Sequence, residues 1–178
     1  MADTRWLSTE EQEMWRSFMS ACRLLFSGVD AQLQRDAGMP LGYYEILVRL
    51  SDAPGRALRM SQLAEATAAS KSRASHAVAR LEERGWVRRT DCATDRRGQV
   101  AELTDEGFAA LDEAARGHVE QVRRLLFDVL APEQVTQLKA ISEAMIGAAG
   151  GHGKVAFPPG CPSEDEPEER APAVSGRR

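Results

Sequence analysis

Between Ser70 and Arg80, and again at Asp95-Arg96-Arg97, the chain places hydrogen-bonding and cationic side chains at spacings that suit an extended polyanion. Read as a helix, Ala74, Ala77, Val78 and Leu81 fall at i, i+3, i+4 and i+7, so one face packs inward. At 100° per residue the opposite face carries Ser72, His76 and Ala79, flanked by Arg73, Ser75 and Arg80, with Lys71 in the first turn near the surface. Ser70 stands just before this helix and can cap it through its hydroxyl. Small and hydrogen-bonding residues at the N-terminal end are what entry into a DNA major groove requires, because that end leads into the groove. From Arg56 to Val100 ten cations stand against five anions, in a chain whose net charge is −4. The excess of positive charge is therefore local.

The flanking stretches supply the frame such a helix needs. Leu63, Ala64 and Thr67 give a brief apolar stripe for a preceding helix, and Ala68-Ala69 make the turn. After Gly85, which can take the left-handed conformation that stops a helix, Trp86 to Thr90 has β character, and Gln99 to Leu103 can pair with it. The connecting Asp91 to Gly98 is too polar for a core. Its tip, with Arg96 and Arg97 adjacent, suits a narrow, strongly negative minor groove. The expected fold is mainly α with a small β-hairpin wing, a winged helix-turn-helix over about 56–104 with helices from both ends of the chain above it.

At these residues the chain resembles the MarR (multiple antibiotic resistance) family of transcriptional regulators. The matching pattern runs through Leu63-Ala64-Glu65, Ser70-Lys71-Ser72-Arg73, Leu81-Glu82-Glu83-Arg84-Gly85, Asp95-Arg96-Arg97-Gly98 and Leu103-Thr104-Asp105-Glu106-Gly107. It covers roughly residues 8–148. Two departures stand out: Ala68 where such sequences usually have Gly, and Ala69 where Leu is usual. The resemblance implies an obligate-type homodimer, each subunit donating a recognition helix and a wing to a pseudopalindromic double-stranded DNA operator. It implies repression relieved by a small-molecule effector. The candidate DNA-binding set is Ser70, Lys71, Ser72, Arg73, Ser75, His76, Arg80, Asp95, Arg96 and Arg97.

The rest of the chain fits that plan. Ser8-Thr9-Glu10-Glu11 is a capping-box signature, followed by a stripe of Trp15, Phe18, Met19, Cys22, Leu25, Phe26, Val29 and Leu33 until Gly38-Met39-Pro40. That stripe is long for a helix packing only within its own subunit. Tyr44, Leu47, Val48 and Leu50 mark a second helix ending before Pro54-Gly55, and Arg56 to Met60 is a connector with room for a third strand. Thr104 can cap a helix whose Phe108, Leu111, Ala115, His118, Val119, Val122, Leu126 and Val129 form an almost heptad-like seam. A last helix starts at Pro132, with Val135, Leu138, Ile141, Ser142 and Met145 inward. Dimerisation helices are thus expected at about 8–37 and 105–148, closing a domain of residues 1–148. From 149 to 178 the Gly-, Pro-, Ser- and Glu-rich composition predicts a disordered tail.

Other chemistries find little support. No apolar run approaches the roughly 20 residues of a membrane helix, and Met1 to Arg5 lacks a signal-peptide plan. Cytoplasmic location is the expectation. There is no Gly-x-Ser-x-Gly elbow, no His-Glu-x-x-His and no Cys-x-x-Cys. An enzyme, a metal and a cofactor are all unexpected. Cys22, Cys92 and Cys161 are odd in number and form no disulfide framework. Cys92, in a polar loop beside arginines, and Cys22, on the apolar stripe, are the redox candidates. His118 reads as a packed, hydrogen-bonded residue. The resemblance implies that small aromatic or acidic ligands enter a crevice between dimer body and reading head, where Trp15, Phe18 and Met19 would approach Tyr43 and Tyr44. Two alternatives stay open: a thiol-based redox-sensing regulator of the same fold, and a helical protein-interaction module without DNA binding.

Overall fold

The computed structural model describes residues 3–92 and 95–149, and the side chains of residues 92 and 95–97 fall outside the description. Helix α1 (Thr9–Ala37) begins with the expected box: the Glu11 N–H donates to Ser8 Oγ at 3.2 Å, and the Ser8 N–H donates to Glu11 Oε2 at 2.7 Å. It stops at Gly38, whose φ of 59° is left-handed. Pro40, with φ already set near −60°, leads into α2 (Leu41–Asp52). A 3₁₀ turn at Pro54–Arg56 follows, then β1 (Ala57–Arg59), α3 (Met60–Ala66), α4 (Lys71–Glu83), β2 (Val87–Cys92) and β3 (Asp95–Leu103). Helix α5 (Asp105–Leu125), a 3₁₀ turn at Phe127–Val129 and α6 (Pro132–Ala148) complete the described chain. The connector after residue 56 does add a third strand: the sheet order is β1-β3-β2, all antiparallel, with Leu58 and Arg89 both opposite Ala101.

The core sits where these elements converge. Leu33 from the end of α1, Met39 from the link that follows it, Leu47 and Leu50 from α2, Leu63 from α3, and Val78 and Leu81 from α4 are fully buried. Val87, Ala101 and Leu103 close it from the sheet. Each large aliphatic side chain taken out of water contributes roughly 1.5–3 kcal/mol before ordering entropy is set against it.

The terminal helices are a different matter. On α1 only Val29, Gln32 and Leu33 are buried, while Trp15 is 50% and Phe26 56% exposed. No residue of α6 is buried, and its expected inner stripe is uncovered, with Ile141 54% exposed and Val135, Leu138 and Ser142 half-buried. Cys22, on the apolar stripe of α1, is half-buried. Among the described residues no helix is long and apolar enough to cross a membrane. The tail expected from residue 149 lies, Ala149 apart, outside the described residues.

Helix α5 corrects the expected seam in two ways. It ends at Leu125, because Leu126 leaves helical geometry (φ −127°, ψ −62°) and a 3₁₀ turn carries Val129 to the surface. Its buried residues are Gly107, Leu111, Ala114 and Gln121, so the packing face is rotated about one residue from the predicted one, and Phe108 and Val119 are exposed. Small residues explain the rotation, since they let the backbones approach. A Cβ on Gly107 would collide with the Trp86 carbonyl oxygen. Farther along, Gln121 Nε2 donates to the Gly28 carbonyl at 3.2 Å, and Arg124 Nη2 donates to Gln121 Oε1 at 2.6 Å, which satisfies a buried amide between α1 and α5.

His118 is packed as expected, its ring lying 4.4 Å from that of Tyr44 and tilted by 37°. The expected hydrogen bond is not made at Nδ1, which is buried with no partner among the described residues. Protonation would place both a charge and an unpaired N–H there, and burial lowers its pKa from the ordinary value. The folded ring is therefore neutral at pH values where the unfolded ring, with a pKa of about 6.5, has begun to protonate. Its contribution to stability is complete above about pH 6.5 and declines as pH falls below it, down to the lowered native value. Urea midpoints at pH 7.5 and 5.5, at fixed protein concentration, should drop more in the wild type than in His118→Phe. Equal drops would show that another group governs the acid limb.

Ala68 offers a second test. It holds φ 49° in the turn between α3 and α4, a left-handed conformation that a Cβ disfavours. Ala68→Gly should raise stability by about 0.5–1 kcal/mol, the relieved strain exceeding the entropy glycine loses. A lowered urea midpoint would contradict it.

Candidate nucleic-acid interface

Helix α4 is held from both ends and from one side. The Thr67 Oγ1 donates to the Leu63 carbonyl at 2.8 Å and the Ala69 N–H donates to the Ala64 carbonyl at 2.9 Å, which closes the turn after α3. Ser70 then caps α4, its Oγ accepting from the Arg73 N–H at 3.3 Å and lying 3.2 Å from Ser72 Oγ. Ala74, Val78 and Leu81 are buried. Lys71, Ser72, Arg73, Ser75, His76 and Arg80 are all exposed, so the face read from the sequence is the outward one. No acid stands in the first turn. The four N–H groups at that end favour negative charge, which the basic side chains around it reinforce.

The far end of α4 is tied to the wing. Glu82 accepts from the Arg89 N–H at 2.9 Å and forms a half-buried ion pair with the Arg89 guanidinium, fixing the start of β2 against the helix. Arg88 Nη2 reaches both oxygens of Glu102 across the strands, at 2.9 and 3.0 Å. Arg56 pairs with Asp105 at 3.2 Å and lies 4.1 Å over the Phe108 ring. Arg84 stacks on Trp86, 4.8 Å from its centroid. Many arginines of the basic stretch are thus committed within the fold. Arg80 keeps an ion pair with Glu83 at 2.7 Å but stays exposed, and Lys71 and Arg73 make no ion pair among the described residues. The wing itself is the β2–β3 pair, with an irregularity between Asp91 and Cys92 and Cys92 opposite Asp95. The side chains of Cys92, Asp95, Arg96 and Arg97 lie outside the description.

The expected ligand wall is not assembled within one chain. Trp15 packs on Phe18 with ring centroids 6.3 Å apart, and Met19 is exposed. Asp30 Oδ1 accepts from the Leu41 N–H at 2.8 Å, so the start of α2 abuts α1 near residue 30. Trp15 is fifteen residues away along α1, about 22 Å of helix axis. Tyr44 is buried under His118, whereas Tyr43 turns toward α4 and, with Ser72, Arg73, His76, Ala77 and Arg80, lines an open hollow of about 380 Å³. The sequence reading missed Tyr43 as a neighbour of α4. The signal was present: adjacent tyrosines on one helix point about 100° apart, so with Tyr44 in the core Tyr43 faces elsewhere.

The model of the MarR family matches residues 37–98. The HTH-type transcriptional regulator PecS of Dickeya dadantii is 38% identical over 88 residues, 48% of this chain and 51% of that protein, so the chain spans about half of it. The HTH-type transcriptional regulator YfiV of Bacillus subtilis is 33% identical over 132 residues, 72% of this chain and 78% of that protein. Among solved structures, Sco3205 of Streptomyces coelicolor, a MarR family transcriptional regulator crystallised with DNA, is 50% identical with a TM-score of 0.79, covering 89% of this chain and 98% of that one. AbsC of the same organism is 44% identical with a TM-score of 0.76, covering 83% and 99%. The chain belongs to the MarR family of transcriptional regulators.

Proposed function

We propose that the protein is a homodimeric, sequence-specific DNA-binding regulator that acts in the cytoplasm on a pseudopalindromic operator and represses transcription. The observation that carries this reading is the outward face of α4: a capped N-terminus, Ser72, Arg73, Ser75 and His76 exposed, and a wing pinned beside it through Glu82. The DNA-bound structure of the similar Sco3205 supports it. The uncovered apolar faces of α1 and α6 support the dimer, since large exposed apolar patches mark surfaces that associate. Ser70, Lys71, Ser72, Arg73, Ser75, His76 and Arg80 form the helix part of the contact set, and Asp95, Arg96 and Arg97 the wing part.

Relief by a small aromatic or acidic effector belongs to the same reading. It acts only through a difference in affinity between DNA-compatible and incompatible arrangements of the two heads, and a tenfold loss of operator affinity needs about 1.4 kcal/mol of coupling. With Trp15 remote from Tyr43 and Tyr44 in one chain, such a crevice takes walls from both subunits.

Selection of bound genomic fragments followed by footprinting tests the whole. The expected site is an inverted repeat with half-site centres about 34 Å apart, one turn of DNA. Arg73→Ala should cost roughly 1–3 kcal/mol per half-site and relax base preference. Arg97→Ala should weaken binding on all sequences and flatten the salt dependence. The thermal midpoint should rise with protein concentration. Absence of any mobility shift on genomic fragments would favour the protein-interaction module. Release by peroxide alone, lost in a Cys22→Ser, Cys92→Ser variant, would favour the redox regulator.

A further inference from the structure

The hollow between the start of α2 and the flank of α4 is lined by side chains whose polar groups can all donate hydrogen bonds. Tyr43 and Ser72 offer hydroxyls, Arg73 and Arg80 guanidinium groups and His76 an imidazole, over the small apolar surface of Ala77. Among the described residues no carboxylate lines it. Glu83 takes one donor of Arg80, and a guanidinium has five. The hollow is open and mostly apolar, and the polar groups of its lining residues can all donate hydrogen bonds, which suits an anion at its rim.

Tyr43 is the member that does not belong to α4, and its position is dictated. Tyr44 is drawn into the core beneath His118, which turns its neighbour toward α4. There the Tyr43 ring is flanked by the Arg84 guanidinium, 6.0 Å from its centroid, and its N–H donates to the Pro40 carbonyl at 2.9 Å in the first turn of α2. A side chain beside the recognition helix, not on its outward face, meets the wall of the groove, and that wall is sugar and phosphate.

We propose that this hollow seats a backbone phosphate of the bound duplex, with the Tyr43 hydroxyl donating to it beside Ser72, His76 and Arg80, so that α2 is a third DNA-contacting element besides the recognition helix and the wing. The proposal rests on the DNA-binding reading. The occupant is the duplex and not a free anion because the hollow is open and continuous with the face that would read bases.

The test uses the full chain, its selected operator and a random-sequence duplex, titrated at several salt concentrations. Tyr43→Phe keeps the ring and its Arg84 contact and removes the donor. It should weaken binding to both duplexes by the same factor, up to roughly tenfold per half-site, with base preference, salt slope and thermal midpoint unchanged. Arg80→Gln should instead lower the salt slope by about one. A methylphosphonate at the seated position should weaken both proteins, and Tyr43→Phe less than the wild type, because the lost hydroxyl contact is already missing there. Wild-type affinity in Tyr43→Phe, or a changed base preference, would overturn the seat while leaving the DNA-binding reading intact. If inorganic phosphate at fixed ionic strength weakens the wild type while Tyr43→Phe is insensitive to phosphate and binds DNA as well as wild type, the seat belongs to a free anion and the proposal fails. A wild type that shifts no duplex removes the reading and the seat together.

Discussion

Val78 and Leu81, wholly buried among Leu33, Leu47, Leu50 and Leu63, set the rotation of α4 about its own axis. Because side chains three and four apart share a face, fixing these two fixes where Ser72, Arg73, His76 and Arg80 point. A helix of 13 residues would be marginal alone in water. Its outward residues are oriented by what its inward residues bury, and Ala74, one turn from the cap, is small enough to let the N-terminal end lie close to the neighbouring helices without tilting away.

Charge is then divided between two tasks. Arg56, Arg88 and Arg89 are paired with carboxylates from other elements, and Arg84 is stacked on aromatic rings. Exposed pairs of this kind are worth little individually, about 0–1 kcal/mol. The Glu82–Arg89 link differs because it is half-buried and also satisfies a backbone donor. It makes the wing register against the recognition helix. The positive excess of the segment as a whole thus overstates what α4 presents outward, which falls to Lys71, Arg73 and part of Arg80 among the described side chains.

Local signals were legible in the sequence. Ser8, Ser70 and Thr104 cap the helices they precede, and Gly38 ends α1, because each requirement is met within a few residues. The inward face of α4 was legible for the same reason, its apolar residues being unambiguous. The packing face of α5 was not. Its close contacts run through Gly107, Ala114 and a buried Gln121, residue types that score as weakly apolar or polar, while Phe108 and Val119 look like core and stay outside. Periodicity also cannot separate an apolar face that meets its own core from one left uncovered, which is why the stripes of α1 and α6 were read correctly as stripes and only partly as packing. The wing tip was legible as composition alone, and the place of Tyr43 beside α4 was not read because neighbouring tyrosines on a helix diverge.

The start of α5 is clamped to the exit of α4. The Thr104 hydroxyl donates to the Gly85 carbonyl at 2.7 Å, its N–H donates to the Trp86 carbonyl at 3.1 Å, and Gly107 lets the helix press against that same peptide. With 21 residues, α5 is a rod about 31 Å long, rooted at the head and running out along α1. Tilting such a rod by five degrees moves its far end by about 2.7 Å relative to its root. Displacements too small to break any packing at one end are therefore magnified into a change of spacing at the other, and the gearing is built into the length of a single helix.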